Sequence, residues 1–290
     1  MTSRRLIRIA AAGTVAVAAM CSLAAFSAPT ALDTAQAAAP TGIDRARTAD
    51  NADKAGQKPK GKTVTIYLTR HGETMLNALD RVQGWSDSPL TDEGRAVAEH
   101  LGAGLAEAGV DFEAAYSADM VRHFETASIA LGELAYSGDI VRDERLREIA
   151  FGKYEGGDGL EMWSDIAVEL GYADVGEMFS DEAFDMNAAL EAMARLNEGS
   201  GLKAETPGEV ADRALAALDD IAAKQSKKGG DVLVVSSGIT IIAALDALGA
   251  DLSEVVEGIE NGAVSELQYR GGEWKVLTVN DLGYVEAGAN

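Results

Sequence analysis

The chain has 290 residues and carries 47 acidic side chains against 25 basic ones, which gives a formal net charge of −22. This excess of negative charge argues against nucleic acid and anionic membranes as partners, and any phosphate site must gather its own arginines locally. The single cysteine, Cys21, lies in an N-terminal segment that we expect to be removed. A disulfide, a cysteine nucleophile and a zinc–thiolate site are therefore excluded from the rest of the chain.

The first 37 residues have the layout of a secretory signal peptide. Arg4, Arg5 and Arg8 precede an alanine-rich apolar run over residues 9–26, and a small-x-small cleavage site follows at residues 35–37. This pattern predicts a secreted or cell-envelope protein with no stable membrane association once the segment is cleaved. The alternative is an uncleaved membrane anchor, which the modest hydrophobicity of an alanine-rich run disfavours.

The small, polar and charged residues at 38–62 indicate a flexible linker. The pattern of residues 63–290 predicts a single α/β domain. Strands are expected at residues 64–68, 112–117, 140–146 and 232–236, and helices at residues 91–108, 120–131, 209–223 and 239–248.

Two further features complete the predicted domain. A mostly helical insertion covers residues 153–205, and an antiparallel hairpin pairs residues 264–269 with 275–279 around Gly271-Gly272. Alternating strands and helices favour a mostly parallel central sheet with helices on both faces. We place the insertion as a cap over the C-terminal edge of that sheet.

Polar segments follow several of the predicted strands, at the edge where parallel sheets carry their sites. The first contains Arg70 and His71, and the second carries Arg122 into a helix. A neutral imidazole is a good nucleophile near pH 7, and phosphoryl transfer to it divides ester hydrolysis into two easier steps. The two arginines offer planar donors to phosphoryl oxygens, and Asn77 offers an amide donor. This chemistry requires neither a metal ion nor another cofactor.

Together these segments resemble the histidine phosphatase superfamily, which includes the phosphoglycerate mutases. The stretch from Leu68 to Asn77 is similar to the signature Leu-x-Arg-His-Gly-Glu-x-x-x-Asn. Further similar segments are Gln83-Gly84, Asp87-Ser88-Pro89-Leu90-Thr91, Arg122 and Leu146-Arg147-Glu148-Ile149. The resemblance implies that His71 is the nucleophile, that Glu148 is the general acid, and that Gly84 belongs to the phosphate-binding set with the arginines and Asn77.

One position departs from this pattern. The last motif of the family reads approximately Val-x-Val-Ser-His-Gly, whereas this chain has Ser237 where the resemblance implies a second pocket histidine. Ser237 is a shorter and weaker donor to phosphate, and the loss of such a donor typically costs two or three powers of ten in rate. His100 is expected to face solvent. His123 follows Arg122, and its ring either points toward the pocket or packs beside neighbours on its own helix.

Three functions follow from these residues. The first is an exported phosphatase that hydrolyses a small phosphomonoester through a phosphohistidine. The second is a phosphate or phospho-ligand binding protein with impaired turnover. The third is a phosphoglycerate mutase-like phosphotransferase, which export disfavours because phosphoglycerates are cytoplasmic intermediates. The sequence predicts no oligomeric state.

Overall fold

The computed structural model describes residues 61–253, 255 and 258–290. The predicted signal peptide and all but the end of the predicted linker lie outside these residues. Within the described ranges, no helix has both the length and the apolar character needed to cross a membrane.

Six strands form one sheet in this part of the chain. They are β1 (Val64–Arg70), β2 (Phe112–Ser117), β3 (Ile140–Arg142), β4 (Gly230–Ser236), β5 (Val264–Arg270) and β6 (Glu273–Val276). Their order across the sheet is β3-β2-β4-β1-β5-β6, with the first four parallel and the last two antiparallel to their neighbours. The predicted mostly parallel sheet and the C-terminal hairpin are confirmed.

The helices of the described residues alternate with these strands. They are α1 (Met75–Ala78), α2 (Asp92–Glu107), α3 (Val121–Glu133), α4 (Gly159–Leu170), α5 (Val175–Ser180), α6 (Met186–Leu196), α7 (Pro207–Gln225), α8 (Gly238–Ala247) and α9 (Gly283–Gly288). Thr91 caps α2, as its position before the apolar stripe predicts, by accepting a hydrogen bond from the amide of Gly94.

Apolar side chains of the central strands point to both faces of the sheet, as the continuous hydrophobic runs in their sequence require. Ile66 and Leu68 of β1 pack into a cluster with α7, α8 and the insertion helices. Tyr67 points to the opposite cluster, which includes residues of α2 and α3. Val234 and Val235 of β4 divide between the same two clusters. Helices therefore cover both faces of the sheet, as the sequence predicts.

The third predicted strand is shorter than expected. It was predicted over residues 140–146, but β3 ends at Arg142 and a 3-10 turn follows at Glu144–Leu146. The side chain of Asp143 accepts a hydrogen bond from the amide of Arg145, which starts the turn and ends the strand. The last strand likewise ends at Val276, three residues before its predicted end.

The buried face of α3 also differs from its predicted stripe. The sequence predicts that the buried positions are Met120, Phe124, Ala127 and Leu131. Ala127 and Leu131 are buried, but in the first turn the buried side chains belong to Arg122 and His123. Two polar side chains therefore enter the interior where the helix begins.

The insertion is helical, as predicted, and contains α4, α5 and α6. Its large apolar side chains belong to the main core cluster: Met162, Trp163, Met178, Met186 and Met193. The insertion is fastened to the segment that follows β3, because Asn197 accepts a hydrogen bond from the amide of Lys153 and Glu205 accepts one from the amide of Ala150. Its methionines accordingly belong to the hydrophobic core of the fold.

Candidate active site

The site begins at the carboxyl ends of β1 and β4, which pair in parallel at the centre of the sheet. Arg70 lies opposite Ser236 in that pairing, and the amide of His71 donates to the carbonyl of Ser236 over 3.1 Å. The next residue along each strand is therefore brought to the same edge: His71 after β1 and Ser237 after β4. This is the edge at which an open parallel sheet carries its ligands.

His71 is held by contacts from distant parts of the chain. The Thr126 hydroxyl accepts from the amide of Gly72 over 3.0 Å, and Asn261 donates its side-chain amide to the carbonyl of His71 over 2.7 Å. The imidazole is 4% exposed. Burial, followed by the positive charges of Arg122 and Arg70, holds the pKa of His71 well below 6.5. His71 is therefore a neutral imidazole at pH 7.

The two predicted arginines flank this imidazole. Arg70 donates from Nη1 to the carbonyl of Ile259 over 2.6 Å. Arg122 is fully buried on α3 and donates to the carbonyl of Gly84 over 2.7 Å and to Asp87 over 3.1 Å. Among the described residues, neither guanidinium has a partner for its buried Nε–H. Each of the two cations whose charge acts on the neutral imidazole thus carries a buried donor without a partner in this part of the chain.

Glu148 lies at the N-terminus of α8 and is 8% exposed. Its Oε1 accepts from the amides of Ile149 and Thr240, and its Oε2 accepts from the amide of Ile239 over 3.1 Å. A β-carbon placed on Gly238 would lie 4.0 Å from Oε2 and 3.9 Å from Nε of Arg70. Oε2 therefore faces the same region as the unpaired arginine donor, and it is the oxygen that retains room to exchange a proton.

The loop that contains Gly84 is fixed by the carboxylate of Glu155, which is not among the site residues that the sequence predicts. Glu155 accepts hydrogen bonds from backbone amides: Gly84, Trp85, Ser86 and Phe151. Gly84 contributes its amide to this network and its carbonyl to Arg122, and a β-carbon there would lie 2.1 Å from the carbonyl oxygen of Ile149. This close approach requires glycine at position 84. Gly84 contacts the site through Arg122, which donates to its carbonyl.

Asn77 has a local contact in the structure. Its side-chain oxygen accepts from the amide of Thr74 over 3.2 Å, which forms a capping box at α1. The oxygen is thereby turned to the backbone. A role for Asn77 toward phosphate stays a prediction, and it would use the side-chain NH2 group.

His123 lies in the pocket, which is one of the two positions that the sequence left open. Its Nε2 is 2.7 Å from Oγ of Ser237, and its ring is edge-on to His71 with centroids 5.0 Å apart. A periodicity starting at His123, with Thr126, Ala127 and Ala130 on the same face, would have indicated this burial. His100 lies on α2.

The arrangement of these side chains defines a class of protein. A buried neutral imidazole, two buried guanidinium groups and a carboxylate meet at the edge of an α/β sheet, which suits transfer of a phosphoryl group to nitrogen. In the described ranges, histidine and acidic side chains form no cluster able to hold a metal ion.

Comparison with known proteins agrees with this class. The sequence model of the histidine phosphatase superfamily (branch 1) matches residues 66–282. The chain belongs to that superfamily, and the resemblance found in its motifs is confirmed.

Solved structures with the same fold include mutases and phosphatases. A phosphoglycerate mutase from Bacillus anthracis is 32% identical, with a TM-score of 0.73, and the match covers 81% of this chain and 100% of that chain. The protein YhfR from Bacillus stearothermophilus is 29% identical, with a TM-score of 0.61, covering 77% of this chain and 99% of that one. A phosphoserine phosphatase from Entamoeba histolytica, at 19% identity and a TM-score of 0.56 over 76% of this chain and 98% of that one, shares the fold.

The curated relatives match over a shorter stretch. A 2,3-bisphosphoglycerate-dependent phosphoglycerate mutase from Nocardia farcinica is 44% identical over 69 residues. That stretch is 24% of this chain and 28% of the relative. The chain thus matches little more than a quarter of the length of these relatives.

Proposed function

We propose that this protein is a phosphatase that hydrolyses a small phosphomonoester through a phosphohistidine at His71. The observation that carries the proposal is the pair of unpaired, buried Nε–H donors of Arg70 and Arg122 beside a neutral imidazole. A phosphoryl group on that imidazole would supply acceptor oxygens for both donors.

The first step forms a phosphorus–nitrogen bond. The lone pair of His71 Nε2 attacks phosphorus, the ester phosphorus–oxygen bond breaks, and the departing oxygen takes a proton from the carboxyl of Glu148. Charge that develops on the phosphoryl oxygens is stabilised by the two guanidinium groups. The products are an alcohol, a phosphohistidine and a carboxylate at Glu148.

The second step returns the enzyme to its starting state. The Glu148 carboxylate takes a proton from water, whose oxygen attacks phosphorus while the phosphorus–nitrogen bond breaks. Orthophosphate leaves, and both His71 and Glu148 regain their initial protonation states. A mutase would instead pass the phosphoryl group to a second hydroxyl, so the acceptor decides between the two activities.

We also propose that the protein acts outside the cytoplasm. The basic residues, apolar run and cleavage motif in residues 1–37 support this. The strongly acidic remainder argues against a nucleic acid or an anionic membrane as its partner, and a small phosphorylated substrate is supported instead by the local arginines of the site. N-terminal sequencing of the protein recovered from culture medium or envelope fractions should find a chain that begins at Ala38. Recovery of the intact N-terminus in the cytoplasm would contradict this assignment.

Trapping the intermediate tests the proposed reaction. The full domain is mixed with p-nitrophenyl phosphate, quenched in base and assayed for acid-labile phosphate on the protein, beside His71→Ala. Label is expected on the unmodified protein and not on His71→Ala. Labelled protein is then transferred to buffer with or without a phosphoglycerate. Loss of label to orthophosphate at the same rate in both supports hydrolysis, whereas rapid transfer to the phosphoglycerate supports a mutase. Absence of label with every phosphomonoester tried would overturn both activities.

A further inference from the structure

His71, His123 and Ser237 form a buried triangle at the end of the central strands. Ser237 follows the β4 residue that pairs with Arg70, so it lies beside His71 through the sheet register. His123 reaches both from α3, with its Nε2 at 2.7 Å from Oγ of Ser237 and its ring edge-on to His71. His123 is fully buried and Ser237 is 1% exposed.

Ser237 occupies the N-cap position of α8 but does not cap the helix with its side chain. A serine at this position normally accepts from an amide in the first turn. Here the amides of Ile239 and Thr240 donate to Glu148 instead. The Ser237 hydroxyl is thereby released from the helix, and its contact is with His123.

The direction of that hydrogen bond follows from the other ring nitrogen. Among the described residues, Nδ1 of His123 is buried without a hydrogen-bond partner, and a buried N–H left unpaired is disfavoured more strongly than a buried lone pair, so the ring hydrogen belongs on Nε2. Burial, Arg122 and His71 hold the pKa of His123 well below 6.5, so the ring is neutral and carries one N–H. If that hydrogen is on Nε2, it donates to Oγ and leaves the hydroxyl hydrogen of Ser237 free. If it is on Nδ1, the hydroxyl hydrogen is used on Nε2 and Ser237 has no donor for a phosphoryl oxygen, which only accepts.

We propose that His123 is a positioning residue of the phosphate site: its Nε2–H holds Oγ of Ser237 so that the Ser237 hydroxyl donates to the phosphoryl group at His71. The inference rests on the proposed phosphate site and adds to it a residue and a direction. Ser237 is the donor that contacts phosphate, and His123 acts through it. Neither side chain transfers a proton in this role.

Two substitutions of His123 separate its hydrogen bond from its shape. His123→Phe keeps a planar ring against His71 and removes Nε2, whereas His123→Gln removes the ring and keeps an amide donor near the position of Nε2. Ser237→Ala removes the hydroxyl. Ser265→Ala is the matched control, because Ser265 is a serine of β5 with the same 1% exposure outside the triangle.

The probe is inorganic orthophosphate, with its dissociation constant measured by calorimetry, since binding does not require turnover. Ser237→Ala and His123→Phe are each expected to weaken binding about 10- to 100-fold, the usual effect of losing one hydrogen bond to a charged group. The double variant is expected to bind no more weakly than the weaker single variant, because both substitutions act on the same donor: Ser237→Ala removes its hydroxyl, and His123→Phe leaves that hydroxyl unpositioned. His123→Gln should recover most of the binding lost in His123→Phe, and Ser265→Ala should bind like the unmodified protein.

Several results would overturn the inference. If Ser237→Ala binds orthophosphate as tightly as the unmodified protein, Ser237 does not donate to phosphate. If the loss of affinity in the double variant equals the product of the two single losses, the two side chains act separately. Equal losses in His123→Phe and His123→Gln, with both folded by circular dichroism, would assign His123 to packing. Failure of the proposed function would look different. If the variants bind orthophosphate with this pattern but the unmodified protein never forms phosphohistidine, the positioning role of His123 stands and the phosphatase activity is contradicted.

Discussion

Nδ1 of His71 lies 2.8 Å from the carbonyl oxygen of Gly72. A carbonyl only accepts hydrogen bonds, so Nδ1 carries the hydrogen and Nε2 of the neutral ring carries the lone pair. The fold thus selects the tautomer that a nucleophile needs. The backbone itself makes this selection, because Gly72 is the residue next to His71 and its amide is fixed by Thr126.

The two buried histidines predict how stability depends on pH. Their pKa values in the folded protein lie well below 6.5, whereas in the unfolded chain each titrates near its ordinary value. Below about pH 6.5 the unfolded chain therefore binds protons that the folded protein excludes. The contribution of these two histidines to the free energy of unfolding should be constant above pH 7. As the pH drops toward 5.5, it should fall by up to about 1.4 kcal/mol per pH unit for each histidine.

Urea denaturation between pH 8 and 5.5 measures this slope. His123→Phe removes one of the two groups and should make the slope about half as steep, even if it changes the stability at pH 8. An unmodified protein whose unfolding free energy stays flat over the whole range would contradict the burial of both rings in their neutral forms.

Glu148→Gln should separate the two chemical steps. An alkyl phosphate needs a proton on its leaving oxygen, so its hydrolysis should fall about 10²- to 10⁴-fold. The nitrophenolate of p-nitrophenyl phosphate leaves without a proton, so phosphohistidine should still form and then accumulate, because its attack by water lacks a base. A burst of nitrophenolate matched by acid-labile phosphate measures this.

Glu144→Gln is the control for Glu148→Gln, because the Glu144 side chain is 75% exposed and lies only four residues away. It should behave like the unmodified protein. Equal losses on both substrates in Glu148→Gln, with no accumulated intermediate, would show that the carboxylate acts through the fold of α8 rather than through proton transfer.

Placing a histidine at position 237 tests whether the pocket has room for it. Ser237→His alone should lower phosphohistidine formation, because Nε2 of His123 already lies 2.7 Å from Oγ and a second ring would overpack the buried triangle. Adding His123→Ala removes that conflict. The double variant should label faster and unfold at higher urea than Ser237→His. A single variant as active as the unmodified protein would contradict the packing argument.

Much of the fold could be predicted because it depends on local patterns. The β-branched runs that became β1 and β4 give a central pair of parallel strands, and their ends place Arg70 and His71 at one edge. The end of β3 was predicted too late because the Asp143 side chain competes with the strand for backbone hydrogen bonds. That competition depends on a rotamer rather than on periodicity.

The surroundings of the site were harder to predict because they come from remote segments. Asn261 fixes the carbonyl of His71 from 190 positions away along the chain. No spacing in the sequence indicates that contact. The sequence left two orientations open for the His123 side chain. A small rotation of the helix about its axis decides whether a residue in its first turn faces the sheet edge or the helix surface. Its contact with Ser237 is decided only when α3 and β4 pack together.

Glu155 shows how a residue outside the reacting groups can still control the site. Its carboxylate accepts four backbone amides, three of them from the loop at residues 84–86 whose carbonyls hold Arg122. In Glu155→Gln the NH2 group of the new side chain faces amide donors and cannot accept from them. The loss of stability should be about 1–3 kcal/mol by urea denaturation, the cost of leaving a buried donor unpaired.

Because the loop then releases Arg122, orthophosphate should also bind more weakly to Glu155→Gln. The control variant Glu144→Gln should leave both the stability and the phosphate affinity unchanged. An unfolding free energy equal to that of the unmodified protein, together with tighter phosphate binding, would instead mean that Glu155 acts on the anion through the repulsion of its charge and not through the loop.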